Sequence, residues 1–525
     1  MRNLKNRKRI FALSALAAAA LAVTSARASE ITSTWSGNSG DWTDGTQWST
    51  NPNYPNNGTP SGVEYDALIN APGTAAYTVS LSTSITTDSV TLNSPNATLS
   101  QTGGTLTTGA VNISAGTYSL SGGVLQASAF NNTGGTVSVS GNTTVGFARG
   151  TATFDNAGGT MVAGSGSLVI IGNGNDLITT SQLGNLATDG GSILIGDKTL
   201  DNTGSTLTFG GSSGSVNIVG TQIMNGVYNA PSTTTLGFTV LNGVTLASDV
   251  NANDDRLVLV GANVAGHNLN IGSNVTLIVD PVPSNAASVT LGNATVNLNN
   301  GHIFSVAPTL MLASTNTAQG WGGAGRFEVA GEATQSLVNQ GVISANVSGQ
   351  VLQIVPQVFT NTGTLQALNG GILDVGPTSD AFNAAWTNSG ILAIDSISRV
   401  ESLTPNGFQP RVFLASGSEL NLTLGSSGVS GIFAISASLT IQNNASLNLN
   451  LAPGAVFSTP YEIVSYAGTL TGTFSQVTPG FTVDYSNPGE ILVTSIPEPT
   501  SGGFMAICAA SVFIKRRRKR RRSVV

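Results

Sequence analysis

The side chains best suited to chemistry are few and scattered. There are two histidines, His267 and His302, 35 residues apart, and a single cysteine, Cys508. A zinc site needs three or four His, Cys or carboxylate ligands at short spacing. Neither histidine has such neighbours, so both are expected as loop or strand residues, and no metal ligand or cofactor is assigned. No Gly-x-Ser-x-Gly elbow stands between a strand and a helix, which is the context a hydrolase nucleophile requires. Asn253-Asp254-Asp255-Arg256 is the one tight mixed-charge cluster. A polysaccharide lyase would need clustered carboxylates and a basic residue to take a proton, and Arg256 is the candidate base. The stretch Ile171–Thr179, "IGNGNDLIT", resembles one nonapeptide of a calcium-binding Gly-Asp roll. That ion is shared between adjacent turns, so one copy cannot complete a site, and Asp176 is expected in a solvated turn. No catalytic residue is assigned. Trp35, Trp42 and Trp48, three of the five tryptophans, open the body. They have two readings: a cap over the end of the fold, or a patch on which sugar rings stack.

The elements that carry these residues follow from composition. Of 525 residues, 64 are Gly, 9% are charged and 40% are hydrophobic. That is too apolar for a disordered chain and too poor in charged helix formers for a helical one. Single Val, Leu and Ile residues spaced through Ser, Thr, Asn and Gly predict an all-β protein with many turns.

A degenerate repeat sharpens this expectation. A bulky apolar residue, any residue, Asn, a small or polar residue and Gly recur at Phe130–Gly134, Phe154–Gly158, Leu200–Gly204, Leu337–Gly341, Phe359–Gly363 and Trp386–Gly390. Successive Asn residues are 24, 46, 137, 22 and 27 positions apart. A second motif, Gly-Gly followed by an apolar residue, falls between the first at 102–106, 121–125, 189–194 and 369–373. Spacings near 23, or near its multiples, fit a parallel β-helix, or solenoid, with one turn per repeat. Its inward positions stack apolar side chains. Its corners use Gly and Asn, which tolerate positive φ, and Asn side chains of successive turns can hydrogen-bond to one another. A string of antiparallel sandwiches is the competing architecture, disfavoured by the scarcity of two-residue hairpin signals. The expected organisation is a Trp-rich N-terminal cap over 29–70, a β-solenoid over 71–450 and a small C-terminal antiparallel β module over 451–495.

The two ends differ from this body. Of 20 basic residues, six lie in residues 1–28 and eight form the run Lys515–Arg522. Six remain between these ends to face all 26 acidic residues, 25 of them in 29–495, so the body is strongly acidic and no nucleic acid is expected as a partner. Residues 1–28 read as a signal peptide: a basic start, 14 apolar residues and then Ala26-x-Ala28, the small-residue pattern that signal peptidase cuts. The only cysteine lies outside the body, so the body has no disulfide.

The C-terminal tail, 496–525, has three parts in order. Pro497-Glu498-Pro499 is held extended by its prolines. Gly502–Ile514 supplies 13 apolar or small residues, about 20 Å of helix against a hydrocarbon core of about 30 Å. The basic run would stay on the cytoplasmic side. This order resembles the PEP-CTERM sorting signal of Gram-negative bacteria, with a shorter apolar stretch and three residues, Ser523-Val524-Val525, after the basic run. The resemblance implies transient membrane insertion of the tail. It also implies an exosortase-like membrane transpeptidase as processing partner, cutting near Pro497, Glu498 and Pro499. The body is similar to the Gly/Asn/Thr-rich, autotransporter-passenger-like β-strand repeat proteins that often carry this tail. That similarity implies a non-enzymatic, structural or adhesive component of the outer surface or exopolysaccharide matrix. The alternatives are a polysaccharide-active β-helix enzyme and a carbohydrate-binding surface protein.

Overall fold

The computed structural model describes residues 29–496, apart from 142, 148–152, 172–176, 197, 325–335, 357, 377–384, 403–410, 427 and 456–458. The signal with Ala26 and Ala28, the tail with Pro497, Glu498, Pro499 and Cys508, and Asp176 lie outside the described residues.

The described residues are all-β, a parallel β-solenoid of about 14 turns with almost no helix. Strand Ser29–Thr34 already lies parallel to Val63–Ile69, and parallel pairing continues to Gln476–Val477 beside Ser446–Leu451. At the usual spacing between paired strands this stack is on the order of 65 Å long. From about residue 200 each turn has three faces. One turn comprises Val342–Ala345 on the first face, Val351–Ile354 on the second and Val358–Asn361 on the third. The next comprises Thr364–Ala367, Ile372–Val375 and Ala385–Asn388, each paired in parallel with its counterpart.

Alternation in the sequence sets which side chains go in. On the first face Ile343, Leu365, Leu392, Leu420 and Leu447 stand beside one another on successive turns, all essentially inaccessible. Their neighbours point outward. On the third face Phe359 stands beside Trp386, with ring centroids 6.1 Å apart, and Phe433 meets Trp386 across the core at 5.9 Å. One continuous core results, which is how a disulfide-free body of this length can hold itself together.

The recurrent Asn lies inside the fold. Asn132, Asn156, Asn202, Asn339, Asn361 and Asn388 are all fully buried. Asn339 Nδ2 donates to Asn361 Oδ1 at 2.7 Å, and Asn361 Nδ2 to Asn388 Oδ1 at 2.6 Å. Asn132 and Asn156 are joined in the same way at 2.7 Å. Where the following turn lacks the motif, Asn156 Nδ2 donates instead to the carbonyl of Leu183, at the end of the short helix Thr180–Leu183. A buried amide needs partners for both ends: the next turn accepts from its N–H, and its oxygen accepts from the preceding turn's Asn or, at Asn132 and Asn339, from the N–H of Gly135 and Gly341. The positive-φ corner positions expected of Asn belong to other residues, among them Asn225, Asn274, Asn300 and Asn369.

The glycine two residues after the ladder Asn has a steric role in the later repeats. A methyl group on Gly363 would fall 2.2 Å from the carbonyl oxygen of Gly341, and one on Gly390 would fall 2.0 Å from that of Gly363. The backbones of successive turns touch there, and only hydrogen fits. In Gly-Gly pairs such as Gly190-Gly191 and Gly370-Gly371 the first glycine takes positive φ and the second is pressed on the turn below.

Turn length varies more than a fixed period of 20–25 allows. Asn217 and Thr235 are neighbours 18 residues apart, whereas Ser402 and Ser436 are neighbours 34 apart. The parallel register of the strands holds across both lengths. The long gap between Asn202 and Asn339 is also filled by solenoid turns: Thr206, Val227, Thr245 and Asn263 follow one another on the third face, and after a break in that face so do Ser288, Thr309 and Ser336.

Both ends are covered. Trp35, Trp42 and Trp48 are 2%, 0% and 2% exposed and pack edge to face, with Trp48 4.9 Å from each of the others. Their indole N–H groups donate to the backbone carbonyls of Asn38, Pro55 and Trp42 respectively. At the other end Tyr461–Tyr466 still pairs in parallel with Ile432–Ile435. Glu490–Ser495 then returns antiparallel along its free edge and pairs with Phe481–Asp484. The antiparallel module is thus shorter than 451–495, and it closes an edge that would otherwise template further strands.

Candidate binding face

The outward residues of the first face form a column of uncharged polar groups in register. Thr235, Asn251, Asn270, Asn297 and Gln319 occupy five successive turns. Asn270 Nδ2 donates to Asn251 Oδ1, Asn297 Nδ2 to Asn270 Oδ1 and Gln319 Nε2 to Asn297 Oδ1, each at 2.8 Å. The pattern recurs further along, where Gln366 donates to Ser344 at 3.0 Å and Asn448 to Asn421 at 2.7 Å. An amide has two N–H donors and two acceptor lone pairs. At Asn270 and Asn297 the ladder uses one of each, and the others remain for an external partner, whereas the Asn251 amide nitrogen donates to the carbonyls of Ser232 and Thr234.

Two aromatic residues stand at the corner where this face turns into the second. Phe238 follows Gly237 at φ 40 and is 45% exposed. A bulky residue in that conformation is strained, and here it turns the ring toward solvent. Arg256, from the next turn, lies over one side of the ring at 4.9 Å and pairs with Asp255 at 3.2 Å. Trp321, partly exposed, stands beside Asn299 and donates its indole N–H to Asn299 Oδ1 at 3.2 Å. Between these aromatics the corner carries Asp254, Ser273, Asn274, Asn299 and Asn300, with Asn300 Nδ2 donating to Ser273 Oγ at 3.1 Å.

The residues considered from sequence are dispersed. Trp35, Trp42 and Trp48 are interior, and no indole face is open to a sugar ring, so burial favours the cap. Arg256 belongs to the exposed corner just described. His267 lies before the first-face strand Asn268–Ile271, its Nδ1 3.4 Å from Asp249 Oδ1. The Asn268 side chain and backbone N–H both donate to Asp249, which with His267 holds that carboxyl below its usual range. His302 is on the second face, beside Thr276 and Gly323. Among the described residues no group of three or more His, Cys, Asp or Glu is placed to hold a metal ion.

Phe238, Trp321 and the amide column were not singled out from sequence. The available signal was Asn between inward apolar residues, as in Val250-Asn251-Ala252, Leu269-Asn270-Ile271 and Val296-Asn297-Leu298. Only the register shows that these triplets adjoin. In comparison with known proteins, the chain matches no protein-family model and no curated protein.

Proposed function

We propose that this chain is an exported, non-enzymatic protein of the bacterial outer surface or exopolysaccharide matrix, with a structural or adhesive role, and that its C-terminal tail directs its sorting. The observation that carries the reading is the solenoid's first face: a row of uncharged amides and hydroxyls in register from Asn217 to Gln319, resumed at Asn421 and Asn448, on a stack of about 14 turns. Such an array offers many equivalent weak contacts along a line, as attachment to a polymer or surface requires. The Pro-Glu-Pro segment, apolar stretch and basic run support delivery to that setting. Signal peptidase and an exosortase-like transpeptidase are the processing partners in this reading.

Deleting Pro497–Val525 is expected to remove the protein from the surface fraction and return it to the periplasm or medium, with the β-sheet circular dichroism of the body unchanged. Fractionation with immunoblotting checks this. Unaltered surface retention of the deleted form would remove the sorting role from the tail.

A further inference from the structure

We infer that the strip from Phe238 to Trp321 binds a linear, uncharged polysaccharide whose chain runs parallel to the solenoid axis. This inference rests on the matrix reading above and names the polymer's chemical class and its site.

Three observations converge on the same five turns. The aromatics Phe238 and Trp321 are four turns apart along one corner, a separation of about 19 Å at the usual strand spacing. That is room for several sugar rings laid end to end. Asn251, Asn270, Asn297 and Gln319 fill the turns beside that interval. The spare N–H groups of Asn270, Asn297 and Gln319 and the free lone pairs of Asn251, Asn270 and Asn297 match hydroxyls, which both donate and accept. The advance per turn is comparable to the advance per sugar in an extended chain, so successive rings meet equivalent partners. Phe238 keeps one ring side free of Arg256, and aromatic faces pack well on the C–H faces of pyranose rings.

Charge selects the class. The body, 29–495, carries six basic residues against 25 acidic ones, and Asp254 and Asp255 stand at the Phe238 end of the strip. A polyanion would be repelled, whereas neutral hydroxyls can donate to those carboxylates.

Affinity electrophoresis of the purified protein in native gels tests this, using barley β-glucan, galactomannan and dextran, with alginate as the anionic comparison. The expected result is retardation by at least one neutral polymer and none by alginate. The double variant Phe238→Ala, Trp321→Ala should bind about tenfold more weakly. Asn297→Leu, which keeps the strand but removes an amide, should also weaken retardation. Val358→Ala, an exposed apolar change on the third face, should not. Circular dichroism and the thermal midpoint verify that each variant is folded. Retardation by alginate alone, by no polymer, or equally in wild type and double variant would overturn the assignment. So would self-association in sedimentation that the double substitution abolishes, since the strip would then pack against a second copy. Export is read from cell fractions and binding from purified protein, so failure of one leaves the other standing.

Discussion

Gly363→Ala should loosen the solenoid locally and strongly. The new methyl would fall 2.2 Å from the carbonyl oxygen of Gly341 and 2.5 Å from the backbone of Gln340. Neither obstacle is the end of a flexible side chain, so two turns of backbone must separate. The Asn339–Asn361–Asn388 ladder passes through the same corner and cannot stretch without leaving buried amides unpaired. Overpacking against backbone together with partial loss of such bonds costs about 3 kcal/mol or more. Gly349→Ala is the comparison: it has φ 70 but open space around it, and the conformational penalty alone is about 1 kcal/mol. A solenoid transmits strain mainly to adjacent turns. Hydrogen exchange should therefore accelerate at Ser336–Asn339, Thr364–Ala367 and Ile391–Ile394 while strands near Tyr77–Leu81 keep their protection. Equal protection in the two variants would mean that the close approach of successive turns does not limit stability.

Trp42→Ala is the second large effect expected. The indole is fully buried, packs on Trp48 at 4.9 Å and satisfies the Pro55 carbonyl. Truncating a buried tryptophan costs about 3–5 kcal/mol, and the orphaned carbonyl adds to that. The first turn is held by one neighbour only, so the loss concentrates there. Ser29–Thr34 should exchange freely and uncover the edge of Val63–Ile69, which is then open to pairing with another chain. Hydrogen exchange and sedimentation read the two consequences: lost protection over residues 29–69, and new oligomers. A variant with native protection and altered glycan binding would reverse the assignment and make the tryptophans a ligand patch.

The sequence carried the architecture more clearly than the binding face. Period-two alternation and the Asn-x-Gly repeat both reflect the core, where each turn constrains the next. Phe359, Asn361 and Gly363 are a ring, an amide and a glycine at one buried corner, and each has a physical reason to recur. Of the two roles expected of that Asn, hydrogen bonding between successive turns is the one it plays, and tolerance of positive φ is not. The face was hidden for the opposite reason. Asn251, Asn270, Asn297 and Gln319 are separated by 19, 27 and 22 residues, because corner loops absorb the difference. No fixed period links them, and solvent-facing positions tolerate Thr or Ala in the same column, as at Thr235 and Ala393. The tryptophans left two readings open for a related reason. Exposed and buried indoles look alike in a Gly-rich stretch, and only the packing of Trp48 between its neighbours distinguishes a cap from a platform.

We propose that the acidic solenoid is a sorted surface protein whose two basic ends are processing signals. Intact-mass and terminal-peptide mass spectrometry of the mature protein from its native cells test this most directly. The account predicts an N-terminus at Ser29 and a C-terminus at or near Pro497–Pro499, with Gly502–Val525 absent. A chain that begins at Met1 and ends at Val525 would contradict it.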